Sequence, residues 1–141
     1  MENIFGQREL VFVFNLLITL ICGILIGLER EFKNKPAGIS TQTLVITGAM
    51  IFAYLSGLIG EGDPSRIAAQ IVSGVGFLGA GIILKSESRG KVTNLTTAAS
   101  IWYSAAVGMA IGFGMYVIAI AAALYAILIT SIPHVKKYID D

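Results

Sequence analysis

Two short stretches set carboxylates beside an arginine at the edges of apolar runs. One is Glu29-Arg30-Glu31; the other is Asp63-Pro64-Ser65-Arg66, with Gln70 and Ser73 following at helical spacing. Carboxylates suggest Mg²⁺, which prefers oxygen ligands, usually one or two carboxylates with waters. Glu29, Glu31 and Asp63 are weak candidates for that role, with Glu61 beside Asp63. No Ser/His/Asp set, metal-ligand cluster or cysteine motif is present, so the chain reads as non-enzymatic and no bound cofactor is expected. His134 stands alone and reads as solvated; the single Cys22 excludes an intrachain disulfide and reads as a buried packing residue.

Each stretch also has an ordinary structural reading. Asp is a favoured helix N-cap and Pro a favoured first helical residue. Arg66 is left over, because a cation in a first turn opposes the helix dipole. It is expected to pair with Asp63 or Glu61 and to organise the stripe of Ser65, Gln70 and Ser73. Arg30 reads as an interfacial anchor whose stem runs along apolar surface, although two flanking glutamates exceed what anchoring needs. Hydroxyls join Glu29, Arg30 and Glu31 at the same membrane side: Thr41, Thr43, Thr96, Thr97 and Ser100. Such hydroxyls can instead bond their own helix's carbonyls. Asn15 and Thr19 lie one turn apart and read as glue between helices.

Gly74-Val75-Gly76-Phe77-Leu78-Gly79 matches the G-x-G-x-x-G pattern, but a dinucleotide site needs a strand before it and an acidic residue about 20 positions on. Neither is present. Close helix approach over small residues is the better reading, and it assigns packing roles to Gly23, Gly27, Gly74, Gly76, Gly79 and Gly81. Ala69, Ser73, Gly76 and Ala80 form one such face.

The elements that must carry these residues are membrane helices. Only 13% of residues are charged and 55% are hydrophobic, against about 25% charged in soluble domains. The net charge of +1 gives no sign of a nucleic-acid partner. Uncharged runs cover 10–28, 39–59 and 67–84, and a final run of 38 residues extends from Leu95 to Ile132. About 20 helical residues cross the hydrocarbon, so the last run must turn back, and Gly112 and Gly114 mark the turn. The expected fold is all-α: one domain of five spans, at about 10–28, 39–59, 66–84, 95–110 and 114–132. Counting Lys and Arg by side gives eight against two for an N-terminus outside and a C-terminus in the cytosol.

Gly27-Leu28-Glu29-Arg30-Glu31, Lys35-Pro36-Ala37-Gly38-Ile39, the block from Asp63 to Gly81 and Leu95-Thr96-Thr97-Ala98-Ala99 together resemble the MgtC/SapB family of bacterial inner-membrane proteins. The resemblance covers essentially the whole chain. It implies a membrane protein acting in adaptation to magnesium limitation, acid stress or survival inside host cells; a homo-oligomer, most simply a two-fold dimer, is expected separately, because five helices with small-residue faces bury only some of those faces internally. The resemblance also implies action on membrane protein partners, notably the proton-translocating ATP synthase. Transport of Mg²⁺ or protons is the alternative. Ser40 and Thr93 stand where family members often carry arginine. The cytosolic C-terminal domain of many members is not part of this sequence, which ends nine residues after Ile132.

Overall fold

The computed structural model describes residues 6–59, 63, 65–84 and 93–132, without the side chain of Leu84. They form five helices: α1 (Gln7–Phe32), α2 (Ile39–Ile59), α3 (Ser65–Leu84), α4 (Leu95–Gly112) and α5 (Tyr116–Ser131). Consecutive helices run antiparallel, which gives the bundle two ends. One gathers the finish of α1 and the start of α4, around Arg30; the other holds the start of α3, around Asp63. Helices α1 to α4 are long and apolar enough to cross a membrane. The 16 residues of α5 rise about 24 Å, somewhat short of the core thickness.

Two of the helices stop by the same device. Asn34 has φ 49° after α1, and the Lys35 and Asn34 N–H groups return to the carbonyls of Arg30 and Glu31. Gly114 has φ 73° after α4, with Met115 and Gly114 returning to Ala110 and Ile111. These are left-handed helix stops of the Schellman type. The second is the turn that divides the long uncharged run.

Contact is closest where glycine meets backbone. A Cβ on Gly108 would collide with the carbonyl of Ile46, and one on Gly112 would sit 2.5 Å from the Met50 carbonyl oxygen, so at these two positions α4 rests directly on the backbone of α2. Gly23 and Gly27 do the same for α1 and α2, against Thr43 and Ile39. The fully buried Ile46, Met50, Val107 and Ile111 fill the centre, and Ala119 and Ala123 seat α5.

The packing role assigned to the α3 glycines needs correction. A Cβ on Gly74, Gly76 or Gly81 would meet nothing within 4 Å, and on Gly79 it would make only ordinary contact with Ala98 at 3.6 Å. Ala69, Ser73, Gly76 and Ala80 are all exposed. Spacing identified a small-residue face correctly, but in this chain α3 turns other residues, chiefly Ile71 and Val75, toward its neighbours. Trp102 is at the surface, half exposed beside α3.

Candidate functional site

The last turn of α1 places Arg30 where a cation suits the helix dipole. The side chain is 3% exposed. Nε and Nη2 donate to the Pro36 carbonyl at 3.3 and 3.0 Å, and Nη2 also donates to Thr97 Oγ1 at 2.5 Å. One guanidinium thus ties together the end of α1, the turn into α2 and the start of α4. The planar fork makes this possible, since it presents several donors in fixed directions.

The flanking glutamates do not pair with it. Glu29 Oε1 lies 2.6 Å from Lys33 Nζ, close in distance but not aligned as a hydrogen bond, and Oε2 is buried with no hydrogen-bond partner. Glu31 Oε1 accepts from the Ile39 N–H at 3.0 Å and so caps α2. Lys33 Nζ also donates to the Thr130 carbonyl at the end of α5. A cavity of about 690 Å³ opens between α1, α4 and α5 at this end, with Arg30, Lys33, Lys35, Asn94 and Thr96 in its wall.

From Arg30 a series of buried polar groups runs into the bundle. Gln42 is fully buried; its Nε2 donates to the Ala37 carbonyl at 3.2 Å and Ser100 Oγ at 3.1 Å, and its Oε1 accepts from Ser104 at 2.6 Å. Thr47 donates to Thr19 at 3.1 Å, and Thr19 donates to the Leu16 carbonyl at 2.8 Å. Tyr116 donates to Asn15 at 2.9 Å. Thr43 Oγ1 has no partner and lies against Gly23. Arg30 is the one charged member of this series among the described residues.

Of the hydroxyls expected at this end, Thr97 and Ser100 join the network, Thr96 lines the cavity, and the half-buried Thr43 turns its hydroxyl toward α1. Thr41 is exposed and stands apart. Gln42, Pro36, Asn94 and Tyr116 are additions that pattern reading did not supply. Gln42 carried a usable signal: it is the sole amide in α2, and intramembrane polar side chains face the bundle interior.

At the opposite end the expected Asp63–Arg66 pair is not formed. Asp63 instead accepts from the Ser65 N–H at 2.9 Å and from its hydroxyl at 2.5 Å. The Ser65 hydroxyl, followed by its N–H, holds the Asp63 carboxyl below the usual aspartate range. The nearer donor wins because it lies two residues away, within reach of a local turn. Arg66 makes no ion pair among the described residues; Glu61 and Pro64 fall outside them, as do Lys85, Glu87, Arg89, Lys91, His134, Lys136 and Lys137. Gln70 and Ser73 face outward and not into the bundle, Gln70 over a largely apolar groove of about 450 Å³ between α2 and α3. Asp63 is thus remote from Glu29 and Glu31, and no three Asp, Glu, His or Cys side chains among the described residues converge on a metal position.

Comparison with known proteins gives this arrangement a family. An MgtC family profile matches residues 16–138. The protein MgtC of Salmonella typhimurium is 44% identical over 120 residues, covering 84% of this chain and 51% of the relative. The protein MgtC of Brucella abortus is 47% identical over 113 residues, covering 79% and 47%. The chain spans about half the length of these relatives. No solved structure matches. Arg30, Gln42 and Thr97 lie inside the matched span, as do α2 to α5 and most of α1, and the chain belongs to the MgtC family of multi-pass membrane proteins.

Proposed function

We propose that this protein resides in the bacterial inner membrane with its N-terminus outside and the Arg30 end in the cytosol. There it serves adaptation to magnesium limitation, acid stress or life inside host cells, without catalysis, by binding other membrane proteins. The observation that carries this reading is the bare face of α3. Ala69, Ser73, Gly76 and Ala80 are exposed on a membrane helix, and small residues are what let a second helix approach closely in lipid. A second copy of the chain is the simplest occupant. The proton-translocating ATP synthase is a candidate partner implied by family likeness.

Transport of Mg²⁺ or protons is the second reading, favoured by the polar series from Asn15 to Gln42. Two features weigh against it. The series is bonded internally at most positions, and its one charge is a buried cation at the Arg30 end, which repels Mg²⁺. The test pairs two measurements. Purified protein in sealed liposomes with a Mg²⁺ or pH dye is expected to give no protein-dependent flux. Gly76→Leu is expected to fold but lose self-association and growth in low magnesium. Robust flux, or normal growth and association of Gly76→Leu, overturns the proposal.

A further inference from the structure

We infer that the cavity at the Arg30 end holds the phosphate headgroup of an anionic phospholipid, with one acyl chain lying in the cleft that continues from it along α4 and α5. The polar part of the argument is charge. Arg30, Lys33 and Lys35 line the cavity against one carboxylate, Glu29. Lys33 lies against Glu29 and donates to the Thr130 carbonyl, so the charge of that carboxylate is offset by Lys33, although neither of its oxygens accepts a hydrogen bond. The Arg30 guanidinium has no carboxylate partner among the described residues, and the Lys35 ammonium has no partner among them. The first turn of α4 completes the wall. Asn94 precedes it with φ 62° and its side chain makes no cap, so among the described residues the α4 N-terminus keeps uncapped N–H groups and adds its positive end. The Thr96 hydroxyl supplies a further donor.

The apolar part of the argument is shape. A second, narrower cleft of about 160 Å³ shares Thr96, Ile129 and Thr130 with the cavity. It is walled by Ile26, Ala99, Tyr103, Tyr125 and Ala126 and is almost wholly apolar. A cationic chamber at the end of the helices that leads into an apolar cleft fits an amphiphile. A water-soluble phosphate would use the chamber alone. Basic pockets between membrane helices are known binding places for anionic headgroups. The inference stands whether or not the bundle acts through a protein partner.

The experiment is native mass spectrometry of the delipidated full chain, titrated with phosphatidylglycerol, phosphatidylcholine or inorganic phosphate. Phosphatidylglycerol is expected to bind more tightly than phosphatidylcholine. Lys35→Ala is expected to weaken it roughly fivefold, the effect of one lysine near an anionic surface. Ala99→Phe blocks the cleft and is expected to weaken phosphatidylglycerol while leaving inorganic phosphate unchanged. Both positions are exposed, so both variants keep the fold, checked by helicity. Equal affinity for the two lipids, or indifference of phosphatidylglycerol binding to both variants, overturns the inference. Phosphate competing fully while Ala99→Phe leaves phosphatidylglycerol binding intact assigns the chamber to a soluble phosphate compound and overturns the lipid.

Discussion

Two glycine-to-alanine changes, identical in chemistry, are expected to act with opposite sign. At Gly108 the added Cβ has the Ile46 carbonyl oxygen in its way, the carbonyl carbon at 2.9 Å and the Ala49 Cβ at 3.0 Å. Those are backbone and short side-chain atoms, so α2 and α4 must separate along their contact. Overfilling a packed interior costs typically about 1–3 kcal/mol. Alanine returns about 0.5–1 kcal/mol through its better helix propensity, leaving a net loss on the order of 1–2 kcal/mol. At Gly76 nothing lies within 4 Å, so only the propensity gain remains. Gly76→Ala is then neutral or stabilising by up to about 1 kcal/mol in monomer. Reversible unfolding of the protein in mixed micelles with increasing sodium dodecyl sulfate, followed by helicity, measures both. Equal destabilisation by the two changes, or a greater loss at Gly76, refutes the glycine-by-glycine account of where this bundle is tight.

Three more predictions concern the polar groups. Arg30→Gln and Thr97→Val are each expected to destabilise, but the double change by less than their sum, with a coupling of about 0.5–3 kcal/mol; additive costs in the same unfolding assay would deny their bond. Gln42→Leu orphans Ser104 and the Ala37 carbonyl in a buried site and is expected to cost about 1–3 kcal/mol, with faster hydrogen exchange in α4 near Ser100 to Ser104; unchanged exchange would count against it. Asp63 has a depressed folded-state pKa, so its capping contribution is complete above the ordinary aspartate range and fades as pH falls through the lower folded value. Hydrogen exchange in the first turn of α3 should therefore stay constant from pH 7 to about 5 and rise only in stronger acid, and Asp63→Asn should flatten that rise; loosening already near pH 6 would contradict the Ser65 bonds.

Five helices and the turn at Gly114 were legible in the sequence because absence of charge over a set length is a strong constraint in lipid. Which face of each helix meets another was not legible. The glycines of α3 and those of α4 have the same spacing signal, yet Gly108 and Gly112 meet backbone while Gly74, Gly76 and Gly81 do not. Face identity depends on how neighbours are arranged, which no single helix encodes. The same limit applies to the polar residues. Arg30 was visible as an unusual cation, but its partners, the Pro36 carbonyl and Thr97, are a backbone atom and a hydroxyl 67 positions away. Asp63 was expected to choose charge over proximity; the hydrogen bonds of Ser65, two residues on, prevail.

The close pairing of α2 with α4 also bears on how the chain is made. Synthesis is vectorial, and α3 leaves the ribosome before α4. When α1 and α2 have entered the membrane, the surface around Ile46, Met50 and Ala53 has no cover, and its rightful occupant is still untranslated. In the finished bundle α4 holds that surface and α3 lies at the perimeter, where little of it is buried. The closest backbone contact in this fold therefore cannot form until Gly108 and Gly112 have been made, so the tight packing of α2 waits on α4.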